Sequence, residues 1–150
     1  RMIKVGDIAP DFTVLNADLS PFNFGTTTGK VRIISVVPSI DTGICDAQTR
    51  RFNQEAANMD AEILTISCDL PFALGRYCAA AGIDKVKTLS DHRELDFGHK
   101  YGFAIEELRL LSRGIVVVDK TNVVKYVEYV PEVASHPNYD AALAEAKKLL

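Results

Sequence analysis

The chain of 150 residues predicts an α/β fold: a mixed central sheet flanked by helices, with a small hairpin ahead of it. Three observations carry that expectation. Val31 to Val37 is a nearly continuous β-branched run, the composition of a strand buried on both faces, and Ala61 to Ser67 is a second buried-strand candidate. Segments of helix formers with recognisable starts and stops lie between such runs, most clearly Pro71 to Gly82. Two strand-like runs near the end are divided only by Lys120-Thr121-Asn122, a hairpin-length connection that makes the sheet mixed.

In chain order, Ala9 to Leu15 alternates after Pro10 and reads as a short strand, with Pro21 to Phe24 pairing back onto it and a loop from Gly25 to Gly29. Val31 to Val37 is the central strand. Asp46 to Met59 follows as a helix with apolar positions Ala47, Phe52 and Ala56, beginning near residues 43 to 46. Ala61 to Ser67 is a second buried strand. Asp69 can cap a helix whose first turn accepts Pro71 and which stops at Gly82. Val86 to Leu89 is a short strand, and a helical turn or two over Arg93 to Tyr101 ends at Gly102. Gly114 to Asp119 and Val123 to Val130 are adjacent strands, and Asn138 to Leu150 is an Ala-rich terminal helix. One domain over 1–150 accommodates all of it.

Composition excludes several classes of function. Hydrophobic residues at 47% and charged residues at 25% are ordinary globular usage, which argues against disorder. Net charge is −3 with no basic cluster beyond Arg50-Arg51, so nucleic acid and anionic membrane are poor partners. Apolar runs are far shorter than a bilayer span and no signal segment opens the chain, so a cytoplasmic protein is expected. The three cysteines, Cys45, Cys68 and Cys78, form no CxxC and have no histidine at ligand spacing. A disulfide scaffold, a zinc site and a bound cofactor are therefore not expected.

The chemistry concentrates in PSIDTGICDAQ, residues 38–48. Cys45 falls in the first turn of a helix at the carboxyl end of a central strand, where open α/β sheets bind ligands. Unpaired N–H groups and the positive end of the helix dipole favour a thiolate there. Thr42, three residues earlier, can cap the helix or reach the sulfur or a bound oxygen.

Pro38-xxx-Thr42-xx-Cys45 resembles the PxxxTxxC signature of the peroxiredoxins. Together with SCDLPFALGRYCAAAGI, LSDHRELDFGHKYGF and LLSR in that order, it is similar to the thiol peroxidase branch over nearly the whole chain. The resemblance implies a thioredoxin-like fold, usually homodimeric, and an atypical two-cysteine peroxidase. It implies that Cys45 is the peroxidatic cysteine and that Thr42 hydrogen-bonds the thiolate and the peroxide. Pro38 would shield the site from water, and Arg113 would be the active-site arginine. Cys78 would be the resolving cysteine, closing an intrachain disulfide that a thioredoxin-type reductant reopens. Hydrogen peroxide and organic hydroperoxides are the implied substrates. The chain opens close to its Ala-Pro-Asp-Phe motif, ahead of which members usually carry a further hairpin.

Elementary kinetics says why an arginine belongs in such a site. Lowering a thiol's pKa from ~8.5 to ~6 raises its thiolate fraction at pH ~7.4 about tenfold. The same change lowers nucleophilicity about tenfold, at a Brønsted slope of ~0.4–0.5. The two cancel, so rate must come from groups that stabilise charge on the leaving oxygen. Arg113 and Thr42 have that chemistry, and an arginine fork holds two oxygens better than a lysine does. On residues alone, Arg113 reads equally well as a surface arginine beside a strand. Cys78, in mid-helix, reads equally as a core cysteine among alanines unless the two helices are adjacent or one unwinds. Gly75 weakens that helix. Cys68 is assigned to packing, and His92, His99 and His136 are paired with no nucleophile by spacing. A dithiol oxidoreductase is disfavoured by the missing CxxC, whereas a peroxide-responsive redox sensor and a one-cysteine peroxidase stay open as alternatives.

Overall fold

Everything is arranged around the strand β3 (Val31–Val36), all of whose residues are buried. In the computed structural model, which describes residues 2–132 and 134–150, β3 pairs in parallel with β4 (Ala61–Ser67) and antiparallel with β8 (Arg113–Val118). With β1 (Thr13–Leu15), β2 (Pro21–Asn23), β5 (Lys87–Ser90) and β9 (Val124–Val130) they form one mixed seven-stranded sheet, ordered β2-β1-β5-β4-β3-β8-β9. The front hairpin is present, with Val14 opposite Phe22. The late hairpin is too, β8 and β9 pairing from Arg113–Val130 to Val118–Val124.

Side chains alternate across the strands and feed two cores. Ile33, Ile63, Ile115 and Val117 meet Phe52, Ala142, Leu143 and Ala146 on one face, beneath α1 (Gly43–Ala56) and α4 (Tyr139–Lys148). Ile34, Val36, Leu64, Ile66, Val116 and Val118 meet Phe12, Phe97, Tyr101 and Phe103 on the other, the side of α3 (Asp96–Tyr101). Two-sided burial is why these strands are largely β-branched. Arg32 is the charged exception within β3. Its guanidinium bonds Thr27 Oγ1 at 2.9 Å and the Asp119 carbonyl at 2.7 Å, and lies over the Phe24 ring, so the buried charge is hydrogen-bonded.

The helix α2 (Pro71–Ala81) has the predicted bounds: Pro71 opens it and Gly82, at φ 68°, closes it in the left-handed conformation. Asp69 is not its cap, however. Leu70 is the N-cap residue without a side-chain bond, and Asp69 is occupied elsewhere. Three further details depart from expectation. A 3₁₀ turn, Phe24–Thr27, enters the predicted loop, closed by the Asn23 side chain accepting from Gly25 N. The first long helix begins at Gly43, within the expected start, because Thr42 supplies its cap, but ends at Ala56 rather than Met59. A small antiparallel pair, β6 (Ala104–Ile105) with β7 (Leu110–Leu111), had no periodicity long enough to show. Among the described residues, no helix is long and apolar enough to cross a membrane.

Asp91, at the end of β5, accepts bonds from Phe97 N and Gly98 N at the start of α3. Burial outweighs those bonds and pushes its carboxyl from 3.8 up to about 6. The folded protein therefore binds this proton more tightly than the unfolded chain. The contribution is complete below pH ~4 and disappears as pH rises through ~6. Urea midpoints measured across that window should fall more steeply in the parent than in Asp91→Asn; equal slopes would mean the carboxyl titrates normally.

Candidate active site

The site is built where β3 ends. Pro38 is buried beyond the strand, and the loop after it is tied down by the Asp69 carboxylate. Ser39 Oγ donates to Asp69 Oδ1 at 2.8 Å, Ile40 N to Oδ2 at 2.9 Å, and Ser67 Oγ to Oδ2 at 2.8 Å. A loop so held delivers Thr42 as the N-cap of α1, its Oγ1 accepting from Cys45 N at 3.2 Å. Thr42 is exposed, and its hydroxyl also faces the Ser39 carbonyl at 3.5 Å. Cys45 lies in the first turn, wholly buried, in a small cluster with Val37, Ile40 and Leu74 of α2, flanked by Tyr77.

The sheet brings Arg113 to the same place. Gly114 pairs with Val36, so Arg113 stands one residue beyond the last paired position, beside the exit of β3 into the Cys45 loop. Gly114 is required there, since a Cβ would lie 2.3 Å from the Glu128 carbonyl oxygen and 2.4 Å from the Phe103 ring. Arg113 is buried, and its Nη1 donates to Gln48 Oε1 at 3.1 Å. Gln48 in turn donates from Nε2 to Ser35 Oγ at 2.8 Å, which fixes the amide's orientation. Residues three apart on a helix share a face, so Gln48 holds the guanidinium on the Cys45 side of α1. Tyr139 reports the same proximity. Burial raises its hydroxyl pKa, while charges at Arg113 and Arg51 pull it down and charge at Cys45 pushes it up.

Cys78 is half-buried in α2, one turn beyond Leu74, with its sulfur 3.3 Å from Thr88 Oγ1 of β5. All three cysteines are free thiols. The two helices that carry Cys45 and Cys78 are thus neighbours through Leu74 and Tyr77, while the thiols face different surroundings. Beside Thr42 an open, largely apolar hollow is lined by Gly43, Ile44, Ala47, Ala134 and His136.

The redoxin family pattern matches residues 4–143. The thiol peroxidase of Halalkalibacterium halodurans is 61% identical over 149 residues, which are 99% of this chain and 90% of that protein. The thiol peroxidase of Bacillus subtilis is 57% identical over 149 residues, again 99% of this chain and 89% of that protein. The chain belongs to the thiol peroxidase branch of the peroxiredoxins. Among solved structures, a peroxiredoxin-like protein from Aquifex aeolicus superposes with a TM-score of 0.93 at 37% identity, covering 100% of this chain and 90% of that one. A thiol peroxidase from Chromobacterium violaceum, at TM-score 0.85 and 22% identity over 99% of this chain and 88% of its own, shares the thioredoxin-like fold.

Three features of this candidate site were not singled out in the sequence. Gln48 is the first, and its signal was available: the buried face of α1 is Cys45, Gln48, Thr49 and Phe52, a helical spacing in which a glutamine stands at a core position. Tyr139 is the second, beneath α1 with its ring edge-on to Phe52. The third is the position of His136, whose Nδ1 lies 2.9 Å from Tyr139 Oη and which lines the hollow. His92 and His99 lie elsewhere, His99 against Glu106. Cys68 packs against the aromatic core, as assigned. Burial first, then the charges of Asp91 and Asp69 against that of Arg109, push its thiol up to about 12. Iodoacetamide at pH ~8 should accordingly leave Cys68 unlabelled in the native protein. Labelling as fast as in urea would contradict its placement. Gln48→Ala should lower kcat/KM for peroxide roughly tenfold, the worth of one hydrogen bond to a charged group, and should also lower stability by about 1–3 kcal/mol, because the buried guanidinium loses an acceptor. A variant with full activity would show that Arg113 is positioned without Gln48.

Proposed function

We propose that this chain reduces hydroperoxides with thiols, with Cys45 as the peroxidatic cysteine and Cys78 as the resolving one. The observation that supports it best is the Arg113 guanidinium, buried and held by Gln48 one turn along the helix from Cys45. The Cys45 thiolate attacks the terminal oxygen of ROOH. The S–O bond forms as the O–O bond breaks, and the leaving alkoxide takes a proton to become an alcohol or water. Cys45 is left as a sulfenic acid. Negative charge moves from sulfur to the leaving oxygen during that step, and a fixed cation stabilises it without reorganising. The Thr42 hydroxyl supports the helix start by accepting from Cys45 N, so its proton is available to turn from the Ser39 carbonyl toward sulfur or peroxide. Pro38, buried under the loop, keeps bulk water from the first turn.

In the second step Cys78 attacks the sulfenic sulfur, the S–S bond forming as the S–O bond breaks, and the proton given up by the Cys78 thiol goes to the departing hydroxide to release water, leaving a Cys45–Cys78 disulfide. Leaving the buried first turn and the Thr88 contact requires local unwinding, which Gly75 in α2 eases by ~1 kcal/mol relative to alanine. A thioredoxin-type dithiol then restores both thiols by exchange. Homodimerisation, recycling by thioredoxin in the cytoplasm and the breadth of hydroperoxide substrates are parts of this reading that rest on family membership.

Intact mass and thiol count after one equivalent of hydrogen peroxide test the assignment. The parent should lose two hydrogens and both reactive thiols, Cys78→Ser should stop at a sulfenic acid, and Cys45→Ser should not react. Reaction of Cys45→Ser at the parent rate would remove Cys45 from the mechanism.

A further inference from the structure

The residues immediately following Cys45 and immediately preceding Cys78 are bonded to each other. Tyr77 Oη donates to Asp46 Oδ1 at 2.5 Å, across the interface between α1 and α2. Arg50 Nε bonds both oxygens of the same carboxylate at 3.0 Å, and Arg50 Nη1 reaches the Ala81 carbonyl of α2 at 3.3 Å. Asp46, Arg50, Tyr77 and Ala81 thus form a closed polar stitch beside the two thiols. Burial and the Asp46 charge keep the Tyr77 hydroxyl protonated, as a donor. Burial raises the Asp46 carboxyl, but the bonds from Tyr77 and Arg50 outweigh it and leave the pKa below its usual value.

We propose that the Tyr77–Asp46 hydrogen bond is a latch that holds the two cysteines apart, so that Tyr77 and Asp46 are positioning residues that set how long the Cys45 sulfenic acid waits for Cys78. The proposal rests on the two-cysteine reading above. Cys45 is wholly buried against Leu74, and the Cys78 sulfur faces Thr88 of β5, so a disulfide cannot form with both helices as they stand. Neighbouring helical residues are turned ~100° from each other, so bringing Cys78 toward α1 swings Tyr77 away from Asp46. Unwinding the first turn of α1 carries Asp46 off with Cys45. Either movement breaks the same bond. Peroxide capture needs the folded first turn and is indifferent to the latch; resolution needs it open. The latch therefore sets the partition of the sulfenic acid between two fates. One is attack by Cys78, releasing water. The other is a second hydroperoxide, which adds an oxygen to give sulfinic acid and releases a second alcohol or water.

Rapid-quench alkylation and mass spectrometry of Tyr77→Phe, Asp46→Ala and the double variant separate the steps. Tyr77→Phe keeps the ring that packs beside Cys45 and removes only the hydroxyl. Disulfide formation should accelerate about three- to tenfold, the range for one partly exposed hydrogen bond to a charged group, with peroxide capture within about twofold of the parent. The peroxide concentration giving half sulfinic acid should rise by the same factor. Because Asp46→Ala already opens the latch, adding Tyr77→Phe to it should change nothing further. Unchanged disulfide rates in both single variants would overturn the latch and leave the two-cysteine reading intact. So would an equal acceleration by Tyr77→Phe in the Asp46→Ala background. A long-lived sulfenic acid in the parent and every variant, with no disulfide at all, would overturn both.

Discussion

The antiparallel register of β8 on β3 is the constraint on which the site depends. Val36 opposite Gly114 places the start of one strand at the end of the other. The helix carrying Cys45 leaves from that end, and the arginine is the first residue of β8, just before Gly114. Two residues 68 positions apart in the chain, 45 and 113, are thus brought together by backbone pairing in the middle of the sheet. Nothing at the surface is asked to do it. A slip of one residue in this pairing would turn Arg113 to the other face and put Gly114 where the guanidinium belongs. The Gly114 site resists such a slip, because any side chain there meets Glu128 and Phe103.

Around that fixed frame the molecule divides its chemistry between a rigid part and a releasable one. Arg113 is locked by burial and by Gln48, itself anchored to Ser35 of the central strand. A cation meant to stabilise developing charge is effective in proportion to how little it must move. Cys45 is in the first turn of a helix, the part of a helix that frays most readily, and its attachments are a threonine cap and a loop tied to one carboxylate. On the two-cysteine proposal, the same residue is buried in one step and delivered to another helix in the next, while the arginine stays where it is.

Much of this was readable in the sequence, and the failures have physical reasons. The strands Val31–Val36 and Ala61–Ser67 and the helix Pro71–Ala81 announce themselves through two-sided burial and through proline and glycine at their proper ends. Cys45 at a helix start follows from strand, proline and cap in succession. The buried face of α1 did not follow, because Ala47 is apolar yet exposed whereas Gln48 and Thr49 are polar yet buried. Hydropathy ranks those residues the wrong way round when a polar side chain is the inward-facing ligand of a buried charge. Asp69 stands one residue before the N-cap of α2 and does not cap it, since the loop carrying Ser39 takes its oxygens. The contact of Tyr139 with the site belongs to the end of the chain packing on its middle, which local pattern cannot show.

Asp69 carries a consequence for substitution. Its two oxygens accept from three donors, Ser39 Oγ and Ile40 N in the loop following β3 and Ser67 Oγ at the end of β4, and its own N–H donates back to Ser67 Oγ at 3.2 Å. Positions 39, 67 and 69 are one coupled unit. A serine lost at either side leaves a carboxylate oxygen short of a donor, and an amide at 69 presents a donor where a donor already stands. A substitution at any one of these three positions therefore changes what a substitution at the other two costs.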